Sequence, residues 1–408
     1  MSPTPKFSEK QFIIEHIASI LSFYDARIDD EAGGYYQNYK DDGTVFDKGF
    51  KQLVSSTRLV VNYSLAYSLF GKEEYKQRAL RGIAFVENVH WQKDKEMYAW
   101  TLQDNEVLDM TQQAYGYAFV LLAYAALQKY DVIRCEDKIS AVYSLLEKRF
   151  WQNEYGLYAD EISATGILSD YRGQNSNMHL CEAMILAYEA TQHEQYLDKA
   201  EQLANNICFR QAQLTDGLVW EHYSKTFSPD WDYNKNDPKN LYRPWGFQPG
   251  HQTEWTKLLL SLHRYRPLNR YVEKATSLFD IAYQTAWDEK YGGLIYGFTP
   301  QDEWCDEDKY FWVQAESIAA AAMLYKQTGN TTFLNAYNKL WQYCWDNMID
   351  HTHGAWFRIL QRDNAKISDE KSSAGAKCDY HTICACAEVL RVIDEADSLM
   401  LQTSFANR

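Results

Sequence analysis

Apolar residues recur at three- and four-residue steps along the chain, in two alternating series of helical runs. One series covers Leu59–Phe70, Ala114–Gln128, Cys181–Thr191, Glu254–Tyr265, Ala315–Lys326 and Ile383–Ala396. The other covers Gln11–Arg27, Glu74–His90, Asp137–Trp151, Gln195–Gln211, Asn269–Trp287 and Thr332–Ile349. Each run of the second series leads into a short turn motif of polar residues, a Gly, and then apolar or aromatic residues. The copies are Gly34-Tyr35-Tyr36, Glu96-Met97-Tyr98, Gly156-Leu157-Tyr158, Gly217-Leu218-Val219, Gly293-Leu294-Ile295 and Gly354-Ala355-Trp356, at steps of 62, 60, 61, 76 and 61 residues. Only the second copy lacks the Gly. Outer helix, short β-turn and inner helix make one repeating unit, and six units predict an all-α (α/α)6 toroid, a barrel of six helical hairpins with short β-turn segments. Residues 1–408 then form one domain. No strand–helix–strand rhythm appears, which argues against a Rossmann fold or a TIM barrel.

One interval is long. Its extra residues lie in Ser224–Gln248, rich in Asp, Asn, Pro, Trp and Tyr. Long loops in compact domains are lids, binding loops or plain surface insertions, and a lid over about 224–248 is expected here.

Composition narrows the class. Of 408 residues 46% are hydrophobic, enough for a large core, while 8 Pro and 19 Gly are too few for long linkers. The 13 Trp and 31 Tyr supply more rings than packing alone calls for, and such rings suit a carbohydrate pocket, stacking on sugar C–H faces and donating from N–H or O–H. A net charge of −15 disfavours nucleic acid or an anionic membrane as partner. No apolar stretch reaches membrane-spanning length, and Met1 to Glu9 lack the apolar core of a signal peptide. The 8 Cys are irregularly spaced, without a Cys-x-x-Cys pair, as expected of buried thiols in a reducing cytoplasm.

The inner-helix starts carry unusual polar residues. The first has Thr57-Arg58 before an apolar run, either a solvated cap or a buried clamp for an anion or hydroxyl. The second has Thr111-Gln112-Gln113-Ala114-Tyr115. In the third, Asn175, His179 and Glu182 share one helix face, as a structural hydrogen-bond network or a site. In the fourth, Arg243-Pro-Trp-Gly-Phe-Gln-Pro-Gly-His251-Gln-Thr-Glu254-Trp255, the Pro249-Gly250 break puts His251 in the first turn with Glu254 at i+3, where a carboxylate can fix the imidazole tautomer. The fifth reads Lys309-Tyr310-Phe311-Trp312-Val313-Gln314-Ala315-Glu316, and the sixth places His381 after Tyr380. His351-x-His353, in the turn before Gly354, is a weak metal candidate. No phosphate-binding loop, dinucleotide fingerprint or nucleophile elbow occurs.

Taken together, Thr57-Arg58, Asn175-x-x-x-His179-x-x-Glu182, Pro249-Gly250-His251-x-x-Glu254-Trp255, Trp312-x-Gln314-Ala315-Glu316 and Tyr380-His381 resemble the N-acylglucosamine 2-epimerase superfamily across essentially the whole chain. The Arg243–Trp255 stretch is most similar to the branch of aldose–ketose isomerases acting on mannose, and Phe311-Trp312 replaces the Trp-Trp of many disaccharide epimerases. The resemblance implies the (α/α)6 fold and a cytoplasmic enzyme without cofactor or metal. Its partner would be a monosaccharide, with no nucleic acid or membrane involved, and it would be a monomer or a weak homo-oligomer. Mannose would isomerise to fructose (or lyxose to xylulose) through a cis-enediolate, with 2-epimerisation as the alternative outcome of the same intermediate. His381 would be the C2 base, and His251, oriented by Glu254, the partner acid–base. Arg58 would stabilise the enediolate oxygens, Tyr115, Asn175, His179 and Arg243 would hold the sugar, and Trp312 would stack on it. A glycoside hydrolase or lyase would need carboxylates flanking a glycosidic bond, where the helix starts offer mainly His and Arg. A non-catalytic sugar-binding protein would not need two His there.

Overall fold

The computed structural model describes residues 5–406, with side chains through residue 395. Residues 1–4 and 407–408 of the expected domain, and the Ala396 side chain closing the last expected helix, lie outside the described residues. Twelve α-helices are described, in the expected order: α1 (Lys10–Asp25), α2 (Leu53–Phe70), α3 (Glu73–Phe85), α4 (Ala114–Lys129), α5 (Glu136–Arg149), α6 (Gln174–Thr191), α7 (Glu194–Ala204), α8 (Pro249–Tyr265), α9 (Asn269–Ala286), α10 (Phe311–Thr328), α11 (Thr331–Tyr343) and α12 (Tyr380–Ala406). None is long and apolar enough to cross a membrane.

The even-numbered helices are the inner series. Tyr117 to Leu127 of α4 are all buried, whereas α5 buries only Ile139, Val142 and Leu146. That contrast follows from sequence, since α4 is apolar on every face and α5 is amphipathic. Five inner helices begin earlier than their apolar runs: α2 at Leu53, α6 at Gln174, α8 at Pro249, α10 at Phe311 and α12 at Tyr380. The polar residues expected at these starts therefore lie within the helices, in their first turns. Three outer helices end in a widened π-helical turn, at Val86–His90, Asn205–Gln211 and Cys344–Met348.

Each turn motif reverses the chain through a left-handed residue: φ is +69° at Gly34, +52° at Glu96, +63° at Gly156, +86° at Gly217, +78° at Gly293 and +88° at Gly354. The second repeat thus keeps the conformation although it has lost the Gly. The residues after five of these turns pair back antiparallel onto the end of the outer helix, as in Trp91↔Tyr98, Trp151↔Tyr158, Trp287↔Leu294 and Ile349↔Trp356. Inner-helix amides grip some of the turns. Asn177 accepts from Tyr158 N (2.8 Å) and donates to Tyr158 O (3.0 Å), and Gln314 does the same with Leu294 N and O (2.9 and 2.8 Å).

Short strands staple repeat to repeat. The segment before an inner helix pairs antiparallel with a strand of the following repeat: Phe50–Gln52 with Thr101–Gln103, Gln112–Gln113 with Glu161–Ile162, Arg172–Gly173 with His222–Tyr223, and Lys309–Tyr310 with Ile359–Leu360. The strand Glu370–Ser372 pairs with Asn38–Lys40, so Ser372 faces Tyr39.

The chain divides into two compact units. Unit 1 comprises Met1–Ala26, Gln248–Asp369 and His381–Arg408, and contains α1, α8 to α11 and α12 from His381. Unit 2 comprises Arg27–Phe247 and Glu370–Tyr380, and contains α2 to α7. Residues 224–247 are irregular and belong to unit 2.

The turn geometry sets a stability difference between two equivalent positions. Gly156→Ala should cost about 1–2 kcal/mol, the left-handed penalty of an L residue, with added crowding because its Cβ would lie 2.6 Å from Asn206 Nδ2. Glu96→Gly should gain up to about 1 kcal/mol by the same argument. Urea melts of both variants measure this, and a Glu96→Gly protein less stable than the parent would refute the strain at Glu96.

Candidate active site

In unit 1 the starts of three inner helices supply the polar residues. Pro249 occupies the first position of α8, where a missing N–H costs nothing, and His251 and Glu254 follow in the first turns. Lys257 lies one turn further along α8. Its Nζ is 2.7 Å from Glu316 Oε2 on α10. The other carboxylate oxygen, Oε1, accepts a 2.7 Å hydrogen bond from Nδ1 of His381 on α12. Relative exposures are 4%, 0% and 6% for Lys257, Glu316 and His381, so this Lys–Glu–His chain is shielded from solvent, where charge-assisted bonds are strong and unpaired charges costly. A carboxylate can only accept, so the His381 proton sits on Nδ1 and Nε2 carries the basic lone pair.

Glu254 was expected to orient His251. In the structure its carboxylate also groups with Glu316 and His381, the ligand atoms of the three lying within 4.8 Å of one another. The His251 ring faces Trp312, with centroids 4.9 Å apart and planes at 36°. Trp312 also faces His381, at 5.7 Å and 38°. Tyr296 meets Trp312 edge-on and stacks on Tyr310. The wall forms because Gly250 has no side chain: a Cβ there would lie 2.4 Å from Trp312 Cζ3. Glu254, Glu316 and His381 are donor types that suit a divalent cation, but the Lys257 ammonium already supplies a positive charge at Glu316.

Unit 2 gathers the other expected residues. Arg58 is buried, donates from Nη2 to Tyr115 OH (2.8 Å), and lies 4.3 Å over the Phe119 ring and 5.1 Å over Tyr380. The His179 ring packs on Tyr115 and Phe119, and its Nδ1 bonds Glu182 Oε2 at 2.9 Å. Asn175 Oδ1 is buried without a hydrogen-bond partner among the described residues, an acceptor that calls for a donor from outside the protein.

Arg243 stands apart from this cluster. Its guanidinium donates to Tyr233 OH and Glu161 Oε2, both at 2.9 Å, and stacks 4.0 Å over Tyr171. These contacts hold the 224–247 segment in place rather than presenting the donors to a sugar. Further anchors are Trp245 Nε1 to Trp231 O (2.7 Å) and His222 Nε2 to Pro244 O (2.7 Å). Burial lowers the His222 pKa, which keeps the ring neutral, with Nδ1 accepting from Tyr171 OH. His351 and His353 are exposed in their turn.

The sequence reading missed Lys257 and the part played by Glu316. The signal was present: Glu316 is an acid inside the apolar stretch Ala315–Leu324, and Lys257 stands just before Leu258-Leu259-Leu260. Opposite charges in two buried helices have to find each other. Gln248, fully buried just before α8, was also missed, and neither polar atom of its amide has a partner among the described residues.

A helical-hairpin repeat carrying imidazole–carboxylate pairs at its inner-helix starts defines a proton-transfer enzyme. The profile of the N-acylglucosamine 2-epimerase family matches residues 34–385, and the chain belongs to that family. It is 51% identical to the D-mannose isomerase of Marinomonas mediterranea over 391 residues, covering 95% of this chain and 99% of that one. It is 24% identical to the cellobiose 2-epimerase of Bacteroides fragilis, covering 91% and 95%. A crystal structure of a D-mannose isomerase superposes with a TM-score of 0.94 at 50% identity, covering 95% of this chain and all of that one. The chain has the (α/α)6 barrel fold that its sixfold repeat predicts, and it is an isomerase.

Gly250→Ala should push the Trp312 ring off the α8 start. About 1–3 kcal/mol of overpacking strain is expected, together with a changed Trp312 environment in the near-UV circular dichroism. An unchanged spectrum and melting curve would mean that the helix start yields without moving the ring.

Proposed function

We propose that the chain is an aldose–ketose isomerase that converts mannose to fructose, and lyxose to xylulose by the same chemistry, without a metal ion. The observation that carries this reading is the His381–Glu316 hydrogen bond, which puts the proton of the neutral ring on Nδ1 and so makes Nε2 its basic nitrogen. The C2 proton of an open-chain aldose is weakly acidic and needs such a base, poised near neutral pH. His381 Nε2 takes that proton, and the electron pair moves to form the enediolate. His251 moves protons at the sugar oxygens, opening the ring and then shifting the O2 proton to O1. His381 returns its proton to C1, giving the ketose. Return to C2 from the opposite face would give the epimer, the branch taken by the more distant cellobiose 2-epimerases. Trp312 stacks on the sugar face. Arg58 is assigned the charge developing on the enediolate oxygens, and Tyr115, Asn175 and His179 the hydroxyls, as fixed donors and acceptors of the kind that stabilise such charge. Arg243 is reassigned from sugar binding to holding the loop.

In the same reading the whole chain is one domain, residues 224–248 act as its lid, the substrate partner is a monosaccharide, and the enzyme works in the cytoplasm as a monomer or weak oligomer.

EDTA-treated protein incubated with mannose in D2O should yield fructose, with deuterium at C1 to the extent that the base exchanges with solvent. Glucose as the main product would replace isomerase by epimerase, and no turnover or exchange would refute proton transfer. His381→Asn and His251→Asn should each lower kcat by about 10²–10⁴-fold, the usual contribution of a positioned acid or base; near-full activity in either removes that residue from its role. The lid assignment predicts that saturating fructose slows proteolytic cleavage within residues 224–248, and an unaltered cleavage rate would remove it.

A further inference from the structure

Lys257 lies outside every motif the sequence singled out, yet its ammonium is paired with the buried Glu316 carboxylate. We propose that Lys257 is a positioning residue: through Glu316 it sets both the orientation of the His381 imidazole and the balance of charge around it. The proposal rests on the isomerase reading for its effect on turnover, but not for its effect on the resting protein.

The geometry assigns each atom a task. Glu316 spends one oxygen on Lys257 Nζ and the other on His381 Nδ1, each at 2.7 Å. The carboxylate is therefore pinned at both ends and cannot rotate away from the imidazole. The charge argument follows. A buried carboxylate beside an imidazole favours the imidazolium, and Glu254 adds a second carboxylate within 4.8 Å. With Lys257 removed, these two acids would favour a protonated His381, and a protonated imidazole cannot accept the C2 proton. The Lys257 ammonium is like-charged to the imidazolium and disfavours it. It thereby keeps His381 a neutral base in the resting enzyme, and makes it ready to give its proton back at C1.

Other charged groups lie near these helix starts, with Asp306, Asp308 and Arg358 acting on Tyr310 before α10 and the buried Lys377–Asp379 pair just before α12, and they are the same in parent and Lys257 variants, so the comparison isolates Lys257. On α8 the charged or titratable residues at this end are His251, Glu254 and Lys257, on α10 Glu316, and on α12 His381. The outer helix α9 packs Ala275, Leu278 and Phe279 inward while Arg270 and Glu273 are exposed, and α11 buries Phe333, Ala336, Leu340 and Trp341. The ion pairs of Arg264 with Glu388 and Glu395 lie at the far ends of α8 and α12.

The test reads His381 directly. The pH titration of its ring signals is followed by NMR in the resting protein, assigned by the loss of those signals in His381→Asn. Parent, Lys257→Met, Lys257→Gln and Lys257→Arg are compared. Removing the cation should raise the His381 pKa by about one pH unit or more in the Met and Gln variants, and Arg should restore the parent value. In turnover, the acidic limb of the kcat/KM profile should move up with it. At pH 7 kcat should then fall about tenfold for each pH unit by which that limb moves, recovering at higher pH, with KM little changed. Lys257→Gln keeps a polar side chain, so it carries the test if loss of a buried charge prevents Lys257→Met from folding. A His381 titration that is unmoved in a folded Met or Gln variant overturns the proposal and leaves Lys257 as a fold-stabilising partner of Glu316. A parent protein that makes no ketose refutes the isomerase reading instead, and the NMR comparison still decides the role of Lys257.

Discussion

A helix buried on every side can keep polar side chains only by pairing them, and this constraint organises the inner series. Thr57 returns its hydroxyl to Leu53 O, Thr256 bonds to Gln252 O and Ala275 O, and Ser317 reaches Thr253. Asn177 and Gln314 close on the backbone of their turns. Other inner-helix groups pair with ionisable side chains, and the candidate site is drawn from these: Lys257 with Glu316 and His381, His179 with Glu182, and Arg58 with Tyr115. A buried group whose partner is backbone serves the fold. A buried group whose partner is an ionisable side chain has a second protonation state within reach, and that is what proton transfer requires.

The short strands fix where those pairs occur. Four of the six inner helices, α2, α4, α6 and α10, begin where a two- or three-residue ladder with the next repeat ends, so the ladder sets the level at which their first turn starts. The left-handed turn sets the level at which the outer helix stops. Variation in length goes into the loops between these points. The longest, residues 224–247, is tied down by Arg243, His222 and Trp245 rather than by regular structure.

Much of this was legible in the sequence. Helical periodicity located all twelve helices, and the recurring Gly-aromatic motif counted the repeats, even at Glu96, where the residue changed and the backbone did not. Boundaries were less legible, because the apolar runs begin at Leu59 and Cys181 while the buried polar residues Ser55, Thr57, Gln174 and Asn177 already lie inside α2 and α6. His251, His381, Arg58, His179 and Trp312 could be named because their types are rare in apolar helices. Their pairing could not be read, since Glu254 lies one turn from His251 in sequence while Glu316 lies 65 residues from His381. Local spacing suggested the first pair, and tertiary packing made the second. Arg243 shows the same limit, since a guanidinium beside a sugar and one bracing a loop have the same local sequence.

Unit 2 is finished by a segment made at the other end of the chain. Ser372 lies opposite Tyr39, Ala374 N bonds Asn38 Oδ1, and Asn62 Nδ2 donates to Cys378 O, across sequence separations of more than 300 residues. During synthesis, α2 to α7 leave the ribosome long before Glu370–Tyr380 exists. Their first strand waits with one edge unpaired, and the contacts that complete the unit carry a large loop-closure entropy. The slow, aggregation-exposed stage of folding is therefore the last one, when a short strand threads home beside the first. Truncation only a few dozen residues from the C-terminus would consequently leave the earliest-made repeats open, although their own sequence was intact.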